Sequence, residues 1–550
     1  MPSWTVFVAL LFMAEKSVHK VNTRAAWIVS IAVMCSRVLG LTREIIVAAL
    51  FGASQWMDAF IVAFRAPNLL RDLFAEGALS TAFITVFSQK IEKEGDRSAW
   101  QLAAKMATLA VIFMSVVTLL GVLFAPAVVR FLAPDFDAET ATFAVLLTRI
   151  MFPFILVVSL AALAMGMLNS KNIFGIPALA SSFFNIGSIA GGLFFGWWID
   201  PEFGYRALIG LAIGTLIGGL LQLLVQLPSL RKVGFAFRPD FLWRDEGVRR
   251  VLLLMVPSVI AGSAVQVNVM INTMFASYLQ DGAISWLNYA FRLMQLPLGV
   301  FGVAVATVTL PVVSKIAVTQ NWEHFRATLA KAIRLATFLS IPSAAGLIIL
   351  GKPIVSLIYE RFRFDSDDTL AVGAALQFYA MGLFAYSCIK VLSPAFYAMN
   401  RKWTPMFVSF AAIALNVALN YFFIFHLDYG HRGLALSTAI SATMNFALLY
   451  FLMYRHLHGM QSGVWLLAIA KSLVGVAGLV AVAYSAQYYF GHLLLQGSLY
   501  FRVPAVLLTV ALAGAVYLLI CYLLKSEEML ESVQILKNRL GSRQKRKAGL

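Results

Sequence analysis

SRVLGLTREIIVAALF (36–51) and, after a short turn, MDAFIVAFRAPNLLRDLFAEGA (57–78) decide the fold. Residues 26–88 read as two membrane-spanning helices, yet they carry Arg37, Arg43, Arg65 and Arg71 together with Glu44, Asp58, Asp72 and Glu76. A charge at mid-bilayer costs from about 3 to over 10 kcal/mol. Such side chains are expected to face a protein-lined or water-filled cavity. Arg292 repeats the pattern in a later apolar run, SWLNYAFRLMQLPLG (285–299). A cavity biased toward arginine suits an anionic cargo. Phosphate fits best, because a guanidinium fork binds it through two parallel hydrogen bonds.

The rest of the chain has the composition of a membrane protein. Its 550 residues are 61% hydrophobic and 13% charged, with a mean hydropathy of +0.83. Apolar runs of roughly 20 residues, the length that crosses a bilayer, recur along nearly the whole chain. About 14 are counted from hydropathy. Backbone exposed to lipid must satisfy its hydrogen bonds within each segment, so the expected fold class is an all-α polytopic membrane protein.

The net charge of +17 does not point to nucleic acid. The basic residues sit in alternate loops, such as Lys90, Lys93 and Arg97, or Arg231, Lys232 and Arg238, whereas Asp135, Asp137, Asp200 and Asp365 mark the intervening ones. By the positive-inside rule, both termini are expected in the cytoplasm. Cys35, Cys388 and Cys521 lie in apolar runs and read as packing residues. The stretch WTVFVALLFM (4–13) is too short to span and precedes its basic residues, so it is a poor signal peptide. It reads as an interfacial helix or a misassigned start, with Met13 as a candidate true start.

An internal repeat organises the spans. Ala63-Phe64-Arg65 returns as Ala290-Phe291-Arg292, FSQKI (87–91) as VSKI (313–316), and MLNSKNIFGIP (167–177) as AMNRKWTP (398–405). Asn169 and Asn185 have the same separation as Asn400 and Asn416. The basic loops recur in phase, so both copies enter the membrane in the same orientation. The expected organisation is two pseudo-symmetric six-helix lobes with a cargo site between them, plus two C-terminal helices. The boundaries are an N-terminal extension (1–25), an N-lobe (26–229), a cytoplasmic amphipathic linker (230–249), a C-lobe (250–456), two further helices (457–524) and a basic cytoplasmic tail (525–550).

Chemistry concentrates in the first two spans. Arg37 and Glu44 are seven residues apart and share one helical stripe, while Arg43 points elsewhere unless Gly40 loosens the helix. Asp58 and Arg65 have the same separation, and Asp58 follows the tight FGASQWM turn toward an outer mouth. Pro67, just before Asn68 and Arg71, is expected to bend its helix and free backbone groups toward a cavity. A plainer alternative is that these charges neutralise one another within their helices or snorkel to the interface. It leaves unexplained why they gather at the start of one lobe and recur at Arg292. Gly210, Gly214 and Gly218 form a packing row. No nucleotide-binding loop, HExxH or GxSxG motif occurs, so a transporter is expected in place of an enzyme or ATP-driven pump. No cofactor or metal is expected.

The stretches SRVLGLTREIIVAALFGAS, MDAFIVAFRAPNLLRDLFAEGALSTAFI, INTMFASYL and YAFRLMQLPLGVFGVA resemble the MurJ/MviN lipid II flippases. That family belongs to the multidrug/oligosaccharidyl-lipid/polysaccharide exporter superfamily of the bacterial inner membrane. The resemblance runs from about residue 22 to the last span. It implies two six-helix lobes with two extra helices and a cavity that opens alternately to each side. The implied cargo is lipid II, an undecaprenyl diphosphate carrying the peptidoglycan precursor. Carried over by position, the essential cavity arginines fall on Arg37, Arg43, Arg71 and Arg292, and the essential acid on Asp58. Asn68 and Asn185 match further cavity positions, and Glu44 stands where some members have Asp. Where some members carry acids, this chain has Phe291 and Gln295, which leaves the counter-ion of Arg292 open. A coupling ion or the membrane potential, and cell-wall synthesis proteins, are the other partners considered. The competing functions are a flippase for another polyprenyl-linked glycan, a multidrug or cation antiporter of the same superfamily, and a non-transporting scaffold.

Overall fold

The computed structural model describes residues 23–73, 79–495 and 497–534. The expected extension up to residue 22, Glu76 and the tail from residue 535 lie outside the described residues. The regular structure among the described residues is helical, apart from one isolated bridge between Arg361 and Phe364.

Ten described helices are long and apolar enough to cross a bilayer, or up to twelve if each of two bent pairs is one span. The helices over the first two expected spans, Thr23–Phe51 and Gln55–Leu70, are not among them. These are the helices that carry Arg37, Arg43, Glu44, Asp58 and Arg65, and the second is 16 residues long before it changes its winding. The expectation of 14 spans rests on adding them.

Contacts divide the chain into two compact units: Met1–Ser285 with Arg361–Phe364, and Trp286–Glu360 with Asp365–Leu550. This grouping differs from the repeat boundary at 230–249, because the Glu246–Ala276 helix is bonded into the first unit. Asp245 caps its start by accepting from the Gly247 amide at 2.8 Å and pairs with Lys105 at 2.8 Å. Gln266 donates to Asp72 at 3.1 Å. The linker before it has no regular structure over 235–242. It lies on the Asp96–Leu123 helix, where the Asp240 amide donates to Thr108 at 3.1 Å and Phe235 packs on Trp100.

In the first unit, one apolar core joins Phe83, Phe87, Leu102, Met106, Leu163 and Leu230. The Gly210–Gly214–Gly218 row performs the expected packing role against the Gly175–Ile199 helix. A Cβ at Gly210 would lie 2.1 Å from the Gly196 nitrogen, one at Gly214 2.3 Å from the Gly192 nitrogen, and one at Gly218 2.5 Å from the Phe184 oxygen. All three obstacles are backbone atoms and cannot rotate away. Overpacking a core costs about 1–3 kcal/mol when side chains can adjust, and here they cannot. Gly214→Leu is therefore expected to lower the thermal midpoint of the purified protein sharply. Gly514→Leu, at a helical position with nothing within 4 Å of an added Cβ, should leave it unchanged. Equal midpoints for the two variants would refute the packing role.

In the second unit the 38-residue Trp322–Tyr359 helix extends about 57 Å. The Ser462–Leu495 and Leu499–Leu523 helices dock on it through Phe338, Leu479, Tyr517 and Cys521. The Tyr517 hydroxyl donates to the Phe338 carbonyl at 2.7 Å, and the Trp465 indole to Thr337 at 3.0 Å. Arg334 ion-pairs with Glu527 and Glu528 at 3.1 and 3.3 Å. Cys388 and Cys521 are buried as expected of packing residues, but Cys35 is exposed.

The repeat has a backbone counterpart. The α-helix gives way to a π turn at residues 71–73, six residues after Arg65, and again at Leu298–Gly302, six residues after Arg292. Each turn follows a proline in the same helix, Pro67 or Pro297. Proline removes one amide donor and crowds the carbonyl four residues earlier. A wider winding accommodates that loss, and π turns are frequent at functional sites.

Candidate functional site

The Thr23–Phe51 helix runs unbroken through Gly40, so Arg37 and Arg43 face different directions. Arg37 is exposed. Arg43 ion-pairs with its neighbour Glu44 at 3.2 Å and lies over the Phe184 ring, 5.3 Å from the centroid. Glu44 lies on the Arg37 stripe, as the seven-residue spacing requires in an unbroken helix, and pairs with Arg43 next to it. Asn185, 7% exposed, donates to the Ser36 carbonyl at 3.2 Å and to the Ser181 carbonyl at 3.1 Å. It thus fixes the backbone beside Arg37 and holds no cargo-facing donor bond of its own in this arrangement. Its repeat counterpart Asn416 is wired differently, to Ser437 and Asn420.

Asp58 sits in the first turn of the Gln55–Leu70 helix, capped by Ser54. It is 3% exposed. Its carboxylate accepts from the Gly282 amide at 2.9 Å, the Ser285 amide at 2.7 Å and the Ser285 hydroxyl at 2.5 Å. It therefore caps the start of the Ala283–Pro297 helix while lying at the start of its own. A helix N-terminus has unsatisfied amides and a partial positive charge, and the start of the Ala283–Pro297 helix offers both to this carboxylate. The role this supports is a structural clasp. A cargo contact would need an acid to meet an anion.

Asn68, Arg71 and Asp72 cluster at the π turn. Arg71 donates to one Asp72 oxygen through Nε at 3.1 Å and Nη2 at 2.9 Å. The other oxygen accepts from Gln266 at 3.1 Å and Asn68 at 3.5 Å. Arg292 belongs to the second unit, where it is exposed on the Ala283–Pro297 helix, as is Gln295. Phe291 packs edge-on against Tyr379 at 5.3 Å, which accounts for an aromatic residue at that position.

Three partners were missed from sequence. Ser285 and Gly282 lie more than 220 residues from Asp58, and only the acid was conspicuous. Gln266 is one of three side-chain amides, with Asn268 and Asn272, in the otherwise apolar run AGSAVQVNVMINTM, and an amide in a span signals a buried polar partner. Asp72 was noted among the charges, but its place beside Arg71 was its only sign of a role.

A family model described as lipid II flippase MurJ matches residues 47–506. The chain is 38% identical over 464 residues to the lipid II flippase MurJ of Burkholderia cenocepacia, covering 83% of this chain and 88% of that one. It is 37% identical over 447 residues to the probable lipid II flippase MurJ of Vibrio cholerae serotype O1, covering 80% and 84%. A solved structure of lipid II flippase MurJ in an inward closed conformation superposes with a TM-score of 0.73 at 27% identity, covering 89% of this chain and 98% of that one.

Proposed function

The chain belongs to the lipid II flippase MurJ family, and on that premise we propose how it carries lipid II from the cytoplasmic to the periplasmic leaflet. It is a transporter of the bacterial inner membrane acting in peptidoglycan biosynthesis. Guanidinium groups of Arg37, Arg43, Arg71 and Arg292 receive the diphosphate, and the polyprenyl tail stays in lipid. The two sequence repeats act as rocking lobes that expose the site to each side in turn. Asp58 steadies one closed state. Both termini and the basic loops lie in the cytoplasm.

The observation that carries this reading is the exposed Arg37 midway along an apolar helix, beside a backbone held by Asn185. A charge kept there at the cost of insertion calls for a partner of opposite sign. The same charges supply a driving force. An empty cationic site is drawn back by an inside-negative potential at about 2.3 kcal/mol per charge per 100 mV if it crosses the full field. No coupling ion is required by that scheme.

Depletion of the protein in its own cells tests the cargo. Lipid II is expected to accumulate on the cytoplasmic leaflet while its exposure outside falls. Accumulation of a different polyprenyl-linked glycan, with lipid II exposure unchanged, would overturn the assignment.

A further inference from the structure

We propose that Asp72 is a displaceable counter-ion that positions Arg71 for cargo and recaptures it on release. This rests on the reading that Arg71 receives the diphosphate.

The Asp72 carboxylate divides its two oxygens between two tasks. Oδ1 takes both Nε and Nη2 of Arg71, at 3.1 and 2.9 Å. Oδ2 takes Gln266 at 3.1 Å and Asn68 at 3.5 Å. A phosphate seeks the same guanidinium fork that Oδ1 occupies, so cargo and Asp72 compete for one edge of Arg71. The pair is open to exchange: the Arg71 and Asp72 side chains are 22% and 29% exposed, and ion pairs in such settings contribute little. A displaced Asp72 is not left bare, because Gln266 and Asn68 still hold its other oxygen.

The location gives the exchange a mechanical consequence. Asp72 lies in the π turn at 71–73, and Gln266 lies just beyond the bend of 50° between the Glu246–Pro257 and Gly262–Ala276 segments. The carboxylate thus ties a wound-out turn to a bent helix within one unit. Cargo arrival moves its hold from Arg71 toward Gln266, and release returns Arg71 to it. Removing the acid therefore helps binding and hinders release, which a merely structural residue would not do.

The test measures lipid II affinity and vesicle translocation with the purified full-length protein. Asp72→Asn is expected to bind lipid II about two- to fivefold more tightly while translocating several-fold more slowly. Asp72→Glu should restore both toward the parent. Gln266→Leu, which removes the second station of the displaced acid, should weaken binding severalfold. If Asp72→Asn does not fold, the signs for Gln266→Leu and Asp72→Glu still decide the matter. Unchanged or weaker binding by Asp72→Asn, or unchanged binding by Gln266→Leu, overturns the proposal. Arg71→Gln separates the two layers: if it binds lipid II as the parent does, the underlying reading of Arg71 fails.

Discussion

Arg37→Ala is expected to abolish lipid II exposure on the outer leaflet, and with it growth, in cells depleted of their own flippase, while the protein still inserts and folds. The side chain is exposed, so truncation should change stability by no more than about 0.5 kcal/mol. Losing one charge-assisted contact to the diphosphate costs about 1.5–3 kcal/mol, roughly a tenfold to hundredfold loss in affinity. Arg37→Lys keeps the charge and loses the planar fork, so it should fall between parent and alanine. Arg292→Ala should behave as Arg37→Ala does, since it too is exposed on an apolar helix. Quantitative complementation with a leaflet-specific lipid II readout checks this. Normal growth and exposure in either alanine variant would remove that arginine from the mechanism.

Asp58→Ala should do the opposite kind of damage, to the fold and to function together. It orphans three donors, two of them backbone amides that no rotamer change can redirect. Each buried donor left unsatisfied costs about 1–3 kcal/mol, so the total rivals a large share of the stability of a typical domain. Ser285→Ala removes only the hydroxyl bond and leaves both amides on the carboxylate, so its loss should be a fraction of that. Asp58→Asn keeps one acceptor oxygen but turns an amide toward the donors, and should lie close to alanine. Thermal midpoints in detergent, read beside complementation, separate these cases. If Asp58→Ala melts with the parent and still complements, the clasp has no importance.

How much of this was legible in the sequence depended on the range of the signal. Hydropathy gave the helical class because spanning is a local property of about 20 residues. The AFR repeats at 63–65 and 290–292 foretold related halves, and a π turn does follow each at the same interval. The glycine row read as a packing face for the same local reason. The hydropathy count was least secure in the Thr23–Phe51 and Gln55–Leu70 helices, where charged residues erode the signal that defines a span. Partners were illegible. Nothing around Asp58 names Ser285, and nothing around Asp72 names Gln266, because hydrogen bonds between distant helices leave no spacing pattern. Helical spacing set Glu44 on the stripe of Arg37, which the unbroken helix keeps, but it did not name Arg43 as the ion-pair partner, since long flexible side chains reach past ideal stripes.

The central claim is that arginines recognise the diphosphate of the cargo, and competition binding tests it most directly. Purified protein carrying labelled lipid II would be challenged with undecaprenyl diphosphate or with uncharged undecaprenol. The diphosphate is expected to displace lipid II from the parent, to do so far less well from Arg37→Ala, and to lose potency as salt rises. Displacement by undecaprenol as effective as by the diphosphate, with no change in the arginine variant, would contradict the account.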